Sequence, residues 1–225
     1  MNFYTTGLIG WLNAALRLTL VLRKYLPKLK NATAPRKKRR IWESVMIPDH
    51  EFSWLMHLEG VESNLPGDPG GFTKYGISIK FAGSAHLDFD EDGKTTNHDL
   101  QIMDREQARA VYQQYFWDIV RCTEMPPAFA WGVFEGGVNQ GPKTVVMCLQ
   151  RALGVLDDGR VGKETLSSLH YAGRTTFLKF MDERWVAYTR ALTFSRYGHG
   201  FRCRLDKSLL FAGAKFFSLP DVSWS

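Results

Sequence analysis

The sequence predicts a mainly α fold with one small β-hairpin: a leader over 1–42, an N-terminal lobe over 43–127 and a C-terminal helical lobe over 128–225. Three observations lead there. Apolar residues recur at three- and four-residue spacing in most segments after Asp49, the pattern of helix faces packed on a core. One short stretch, Phe72 to Ser78 (FTKYGIS), alternates as a strand does and follows a glycine-rich turn. Asp, Pro and Gly punctuate the chain often enough to start and stop several short helices. With 225 residues, 44% hydrophobic and 13% aromatic, there is enough length and apolar content for a buried core.

The leader separates itself by charge. Residues 1–42 hold ten Lys or Arg and no acid, Glu43 being the first carboxylate. The chain has 29 basic and 23 acidic residues, so the part from Glu43 onward holds 19 and 23, a net of −4. The basicity therefore belongs to the leader. This argues against nucleic-acid binding as the main activity, because such a domain carries its basic patch on its own fold. Residues 3–26 are apolar apart from a few polar positions, and on a helix Asn13, Arg17 and Lys24 fall on one narrow stripe. The apolar run before Arg17 is short for a membrane span, and a basic start and small-residue cleavage site are missing. It suits contact with a membrane surface or a partner protein. Pro27 ends it, and the following KNATAPRKKRR reads as a solvated linker.

In the N-terminal lobe, Asp49 is placed to cap a helix with Phe52, Leu55 and Leu58 on its buried side, ending at Gly60. Gly67 to Gly71 (GDPGG) is a turn, after which Thr73, Tyr75 and Ile77 are expected on one face of a strand. Asp104 and Gln107 form a capping-box-like start. The helix behind them turns Ala108, Val111, Tyr112, Tyr115, Phe116 and Ile119 inward. Pro126-Pro127 breaks the chain before the next helix. In the C-terminal lobe, Pro142 suits the first turn of a helix burying Val145, Val146 and Leu149. Asp157-Asp158-Gly159 is a turn. A last long helix is expected to carry Leu178, Met181, Trp185, Tyr188 and Leu192 as its core stripe. Cys122, Cys148 and Cys203 lack metal-ligand spacing and read as structural thiols. The six histidines show no paired ligand spacing.

The chemistry concentrates between Glu59 and Ser78. A carboxylate ends a helix, and a glycine-rich turn then throws a hairpin back beside it. Glycosidic cleavage needs a general acid for the leaving oxygen and a group that stabilises or hydrates the cation-like sugar. The partial negative charge of a helix C-terminus disfavours ionising a carboxyl there, so Glu59 is the candidate acid. Asp68 and Thr73 are candidates to face it and position water. On spacing alone, a solvated Glu beside an ordinary turn remains the competing reading. Farther on, Asp88, Asp90, Asp92, Gly93 and Asp99 fall at positions 1, 3, 5, 6 and 12 of a calcium-loop register. Asp88, Asp90, Asp92, Lys94 and Asp99 are the candidate metal-site residues. The alternative is an acidic solvated loop. Calcium there would stiffen the lobe without a catalytic role, and no cofactor is required.

The run HLEGVESNLPGDPGGFTKYGIS, His57 to Ser78, resembles the signature of glycoside hydrolase family 108, the phage and bacterial N-acetylmuramidases. That pattern is Glu-Gly-Gly, then Asp-Pro-Gly-Gly, then Thr-x-Tyr-Gly-Ile, and it also resembles the Glu, Asp, Thr order of phage-type lysozymes. YFWDIV (Tyr115 to Val120) and FEGGVNQGP (Phe134 to Pro142) are similar to later segments of the family. Val61 stands where the family has a second Gly, and Glu135 where it has Asp. Leu149 to Leu169 resembles peptidoglycan-binding modules, a plain helical hairpin being the alternative. Gly200 to Arg204 (GFRCR) resembles a Gly-Trp-x-x-Arg element of the family, with Phe for Trp.

The resemblance implies a lysozyme-like α+β fold. It implies hydrolysis of the β-1,4 bond between N-acetylmuramic acid and N-acetylglucosamine in bacterial peptidoglycan, with Glu59 as general acid. Asp68 and Thr73 follow as charge-stabilising or water-holding groups, and Tyr75 and Asn139 as substrate-binding residues. It implies action at the cell wall, as a phage lysin or virion component. Two other classes stay open: a lytic transglycosylase, and a non-catalytic wall-binding or scaffold protein on the same fold.

Overall fold

The computed structural model describes residues 46–59, 62–63 and 71–217. The leader, Asp68 and most of the GDPGG turn lie outside these residues. The described residues divide into two compact units, one up to Gln113 and one from Gln114 onward.

The first unit opens at Ile47, which is fully buried and donates its N–H to Gln113 Oε1 at 2.6 Å. Helix α1 spans Asp49–Glu59. Phe52 N–H bonds to Pro48 O at 3.0 Å, so Asp49 stands inside the first turn, one place later than a cap, and pairs there with Arg109. Phe52 and Leu55 are buried, while Leu58 is only half-buried and Glu51 takes the other inward position. The expected stripe is thus displaced because the last turn of α1 is incompletely covered.

Strands β1 (Glu62–Ser63), β2 (Thr73–Lys74) and β3 (Ile77–Ser78) form an antiparallel sheet in that order. Ser63 pairs with Thr73, and Thr73 with Ser78. FTKYGIS is therefore two strand pieces around a turn, and Thr73, Tyr75 and Ile77 do not share a face. The turn is Tyr75-Gly76, at φ 47° and 78°. Two consecutive left-handed residues are what a two-residue type I′ hairpin requires, since its twist matches that of the strands.

Three short helices follow. Ser78 Oγ accepts Phe81 N–H at 3.2 Å to cap α2 (Ile79–Ala85). Thr96 and Asp99 form a reciprocal capping box on α3 (Asn97–Ile102). Asp104 and Gln107 do the same on α4 (Arg105–Tyr112), at 2.7 and 2.8 Å, as the sequence predicts. Beyond α4 the backbone widens into a π turn over Gln113–Trp117. The extra residue in that turn shifts the inward face, so Phe116, Trp117 and Val120 are buried and Ile119 is 63% exposed.

The second unit consists mainly of α5 (Pro127–Gln140), α6 (Pro142–Leu153), α7 (Lys163–His170), α8 (Arg174–Thr189) and α9 (Phe194–Phe217). Prolines begin α5 and α6, where a missing N–H costs nothing. Phe129, Trp131, Phe134, Phe177 and Phe180 are fully buried, with Phe129 and Phe177 edge-on at 5.3 Å. The inward stripe of α8 is Phe177, Phe180, Met181, Arg184 and Tyr188. Leu178 and Trp185 are half-buried, and Leu192 lies beyond the helix at 95% exposure. The stripe is offset from the expected one because it admits a charged residue, Arg184, and α8 is followed by a further long helix.

Candidate active site

Glu59 is the last residue of α1, and its carboxyl Oε2 is withdrawn from solvent. The sheet begins three residues later at Glu62, which pairs with Lys74. Three residues span at most about 11 Å, so the acid and the β1–β2 ladder are held close by connectivity alone. Thr73 sits in the central strand opposite Ser63, with its Oγ1 donating to Gly71 O at 3.3 Å. Trp54 and His57 rings lie 5.6 Å apart on the same helix as Glu59.

The hairpin tip is built under strain. A left-handed conformation costs a non-glycine residue roughly 1–2 kcal/mol, and Tyr75 adopts it at φ 47°. The Tyr112 hydroxyl donates to Tyr75 O at 2.9 Å. Tyr112 is 1% exposed, and its ring is 6.1 Å from that of Phe52 on α1. One buried side chain of α4 thus touches both the helix that ends in Glu59 and the tip of the hairpin. Sequence periodicity identifies Tyr112 as core but is silent about its hydroxyl. Lys74 Nζ donates to Gln101 O at 2.6 Å and lies 5.5 Å from the Tyr75 ring centroid.

The acidic loop is organised by its own backbone. Carboxylate oxygens of Asp88, Asp90 and Asp99 approach within 4.8 Å of one another. Asp88 accepts N–H groups of Asp92 and Gly93, Asp90 that of Asp92, and Asp92 that of Lys94. Asp99 is fully buried, accepting Phe89 N–H at 2.7 Å on one oxygen and Thr96 N–H at 2.7 Å on the other. Burial pushes its pKa up, but the hydrogen bonds from Thr96, Phe89 and Asp90 more than offset this and hold it below the ordinary value.

In the second unit Asn139 Oδ1 accepts the hydroxyl of buried Tyr188. Glu135 is fully buried and ion-paired with Arg184 Nη2 at 2.6 Å and Arg204 Nε at 2.5 Å. Gln150 is 2% exposed. It donates to Asp158 Oδ1 at 2.8 Å, Arg160 O at 2.9 Å and Thr165 Oγ1 at 3.3 Å, and accepts Gly159 N–H at 2.8 Å. The Gln, Asp-Gly and Thr of the module-like segment therefore fasten its loop to its helices.

Residues 52–141 match the family model described as Glycosyl hydrolase 108. The match runs from within α1 to the residue after α5 and includes Glu59 and the whole hairpin. Among solved structures, SagA of Brucella abortus is similar with a TM-score of 0.64 at 23% identity, over 73% of this chain and 92% of that one. This likeness shows the fold: mainly α and lysozyme-like, with a small antiparallel sheet. No curated protein matches the chain. Over residues 52–141 the chain is similar to the glycosyl hydrolases of this family.

Proposed function

We propose that the protein hydrolyses the glycan strands of bacterial peptidoglycan at the β-1,4 bond between N-acetylmuramic acid and N-acetylglucosamine, with Glu59 as general acid. One observation carries the reading. Within the family 108 segment, a carboxyl with one oxygen withdrawn from solvent closes α1 directly ahead of the three-stranded sheet. The proton of Glu59 passes to the glycosidic oxygen as the bond to the anomeric carbon breaks, and water adds to that carbon. Asp68 and Thr73 are the groups to steady the cationic sugar and the water. Tyr75 is the substrate contact on the hairpin, and the site of action is the cell wall.

The test is digestion of defined peptidoglycan with the products identified by mass. Wild-type protein should release reducing N-acetylmuramic acid ends. Glu59→Gln, which keeps the shape and removes the proton, should lower the rate by about 10²–10⁴-fold with an unchanged melting temperature. Retention of more than half the rate would remove Glu59 from the role. Anhydro-ended products would identify a lytic transglycosylase. Binding without cleavage would identify a wall-binding protein.

A further inference from the structure

We infer that Tyr112 is a positioning residue for this hydrolase: its hydroxyl locks Tyr75 in the left-handed turn so that the Tyr75 ring meets the glycan in one fixed orientation. The inference rests on the proposed muramidase reading and deepens it. Three observations converge on it. Tyr occupies the first central position of a two-residue hairpin with φ 47°, where Asn, Asp or Gly would sit without strain. A bulky side chain kept in a strained conformation marks a place where the side chain, and not the turn, matters. The strain is countered by a buried donor, since Tyr112 O–H reaches Tyr75 O at 2.9 Å. Finally, the same Tyr112 ring packs beside Phe52 of α1, the helix that ends in Glu59. The hydroxyl therefore sets the hairpin tip relative to the helix that carries the acid. An aromatic face offers a sugar a flat apolar surface, and a backbone held in place at Tyr75 leaves less freedom to be lost on contact.

The experiment is a double-mutant cycle with soluble peptidoglycan glycan chains as the probe. Affinity is measured in Glu59→Gln protein, and kcat and KM in protein with Glu59 intact. Tyr112→Phe keeps the ring against Phe52 and removes only the hydroxyl. It should weaken glycan affinity and raise KM about fivefold to tenfold, the effect of one lost hydrogen bond, with kcat and its pH profile little changed. Tyr75→Asn suits the turn better, so it should raise the melting temperature while weakening affinity, and Tyr75→Phe should restore affinity. In the Tyr75→Asn background, Tyr112→Phe should cause no further loss, because it acts through Tyr75. The inference is overturned if Tyr112→Phe leaves affinity unchanged or loses equally in both backgrounds, or if Tyr75→Asn binds as wild type. A wild-type protein that cuts no glycan overturns the muramidase reading and this inference with it. Normal cutting with an unchanged Tyr112→Phe variant overturns this inference alone.

Discussion

Glu135 is the most committed carboxylate among the described residues. It is sealed from solvent between Arg184, also sealed, and Arg204, which is 12% exposed. Burial alone would raise its pKa, but the charges and hydrogen bonds of Arg184 and Arg204 override that and hold it below the ordinary value. Gln140 Oε1 accepts Arg184 Nε at 2.8 Å, so the guanidinium is satisfied on a second edge. Removing one partner of such a group strands the others, and Glu135→Gln should cost about 3–5 kcal/mol of unfolding free energy in urea titrations. A loss below about 1 kcal/mol, the range of a surface pair, would show the network to be dispensable. The pH dependence has a definite sign. A carboxylate whose folded pKa is depressed gives stability that is present above its unfolded pKa of about 4.3 and lost as pH falls through the folded value. Glu135→Gln should therefore flatten the acid limb of stability against pH. Gly136 explains the packing: a Cβ there would stand 2.6 Å from Val145 Cγ2 and 2.8 Å from Arg184 Nε. Periodicity alone places Met181 and Tyr188 in the core and passes over Arg184. A charged residue reads as solvent-facing until its buried partner, forty-nine positions away, is known.

At the scale of elements, what was legible depended on whether a signal is local. The Asp104–Gln107 box, the prolines at the start of α5 and α6, and the helix ending in Glu59 rest on short-range chemistry and are readable from the chain. The sequence marks the hairpin but not its turn, because Tyr is no turn former and only Gly76 signals it. The π turn after α4 has no sequence signature, and it moved Ile119 outward. The Asp88–Asp99 segment carries two overlapping patterns, a calcium register and a Thr96–Asp99 capping box. The capping box is formed. Asp99→Asn can satisfy only part of the acceptor work of the carboxylate and should cost about 1–3 kcal/mol. As Asp99 is held below its ordinary pKa, its contribution is present above the unfolded pKa of about 3.9 and fades as pH falls through the folded value. Thermal melts of wild type and Asp99→Asn from pH 7 to pH 3 should converge at the acid end. Curves that stay parallel would show the carboxylate charge to be irrelevant. The same melts with and without millimolar calcium test the register, and a rise that Asp90→Ala abolishes would identify a cation site.

Across the whole molecule, the family-like residues divide between two tasks. Glu59 closes a helix, and Thr73, Tyr75 and Gly76 lie in a strained hairpin, all in the first unit, where chemistry is proposed. Those from Glu135 to Arg204 are largely bound to one another in the second unit, in the Glu135–Arg184–Arg204 cluster, the Gln150 knot and the Tyr188–Phe201 stack at 4.4 Å. Conversely, the ten basic residues of 1–42 precede Ile47 in the chain, a buried residue with its N–H on Gln113 and its carbonyl on Arg109. Among the described residues no helix is long and apolar enough to cross a membrane. The charge and apolar pattern of residues 1–42 make the leader the expected segment for contact with a membrane surface or a partner. Deletion of 1–42 stops short of Ile47, so it should leave the melting temperature and the cleavage of isolated peptidoglycan close to wild type. It should also weaken binding to vesicles containing anionic lipid, since each Lys or Arg near such a surface contributes about 1 kcal/mol. With the leader present, that binding should weaken as salt rises and shortens the Debye length to about 3 Å at 1 M. A truncated protein that is insoluble, or inactive on isolated walls, would show instead that the leader completes the folded core. Vesicle binding that survives the deletion would move the membrane-contacting surface onto the acidic body.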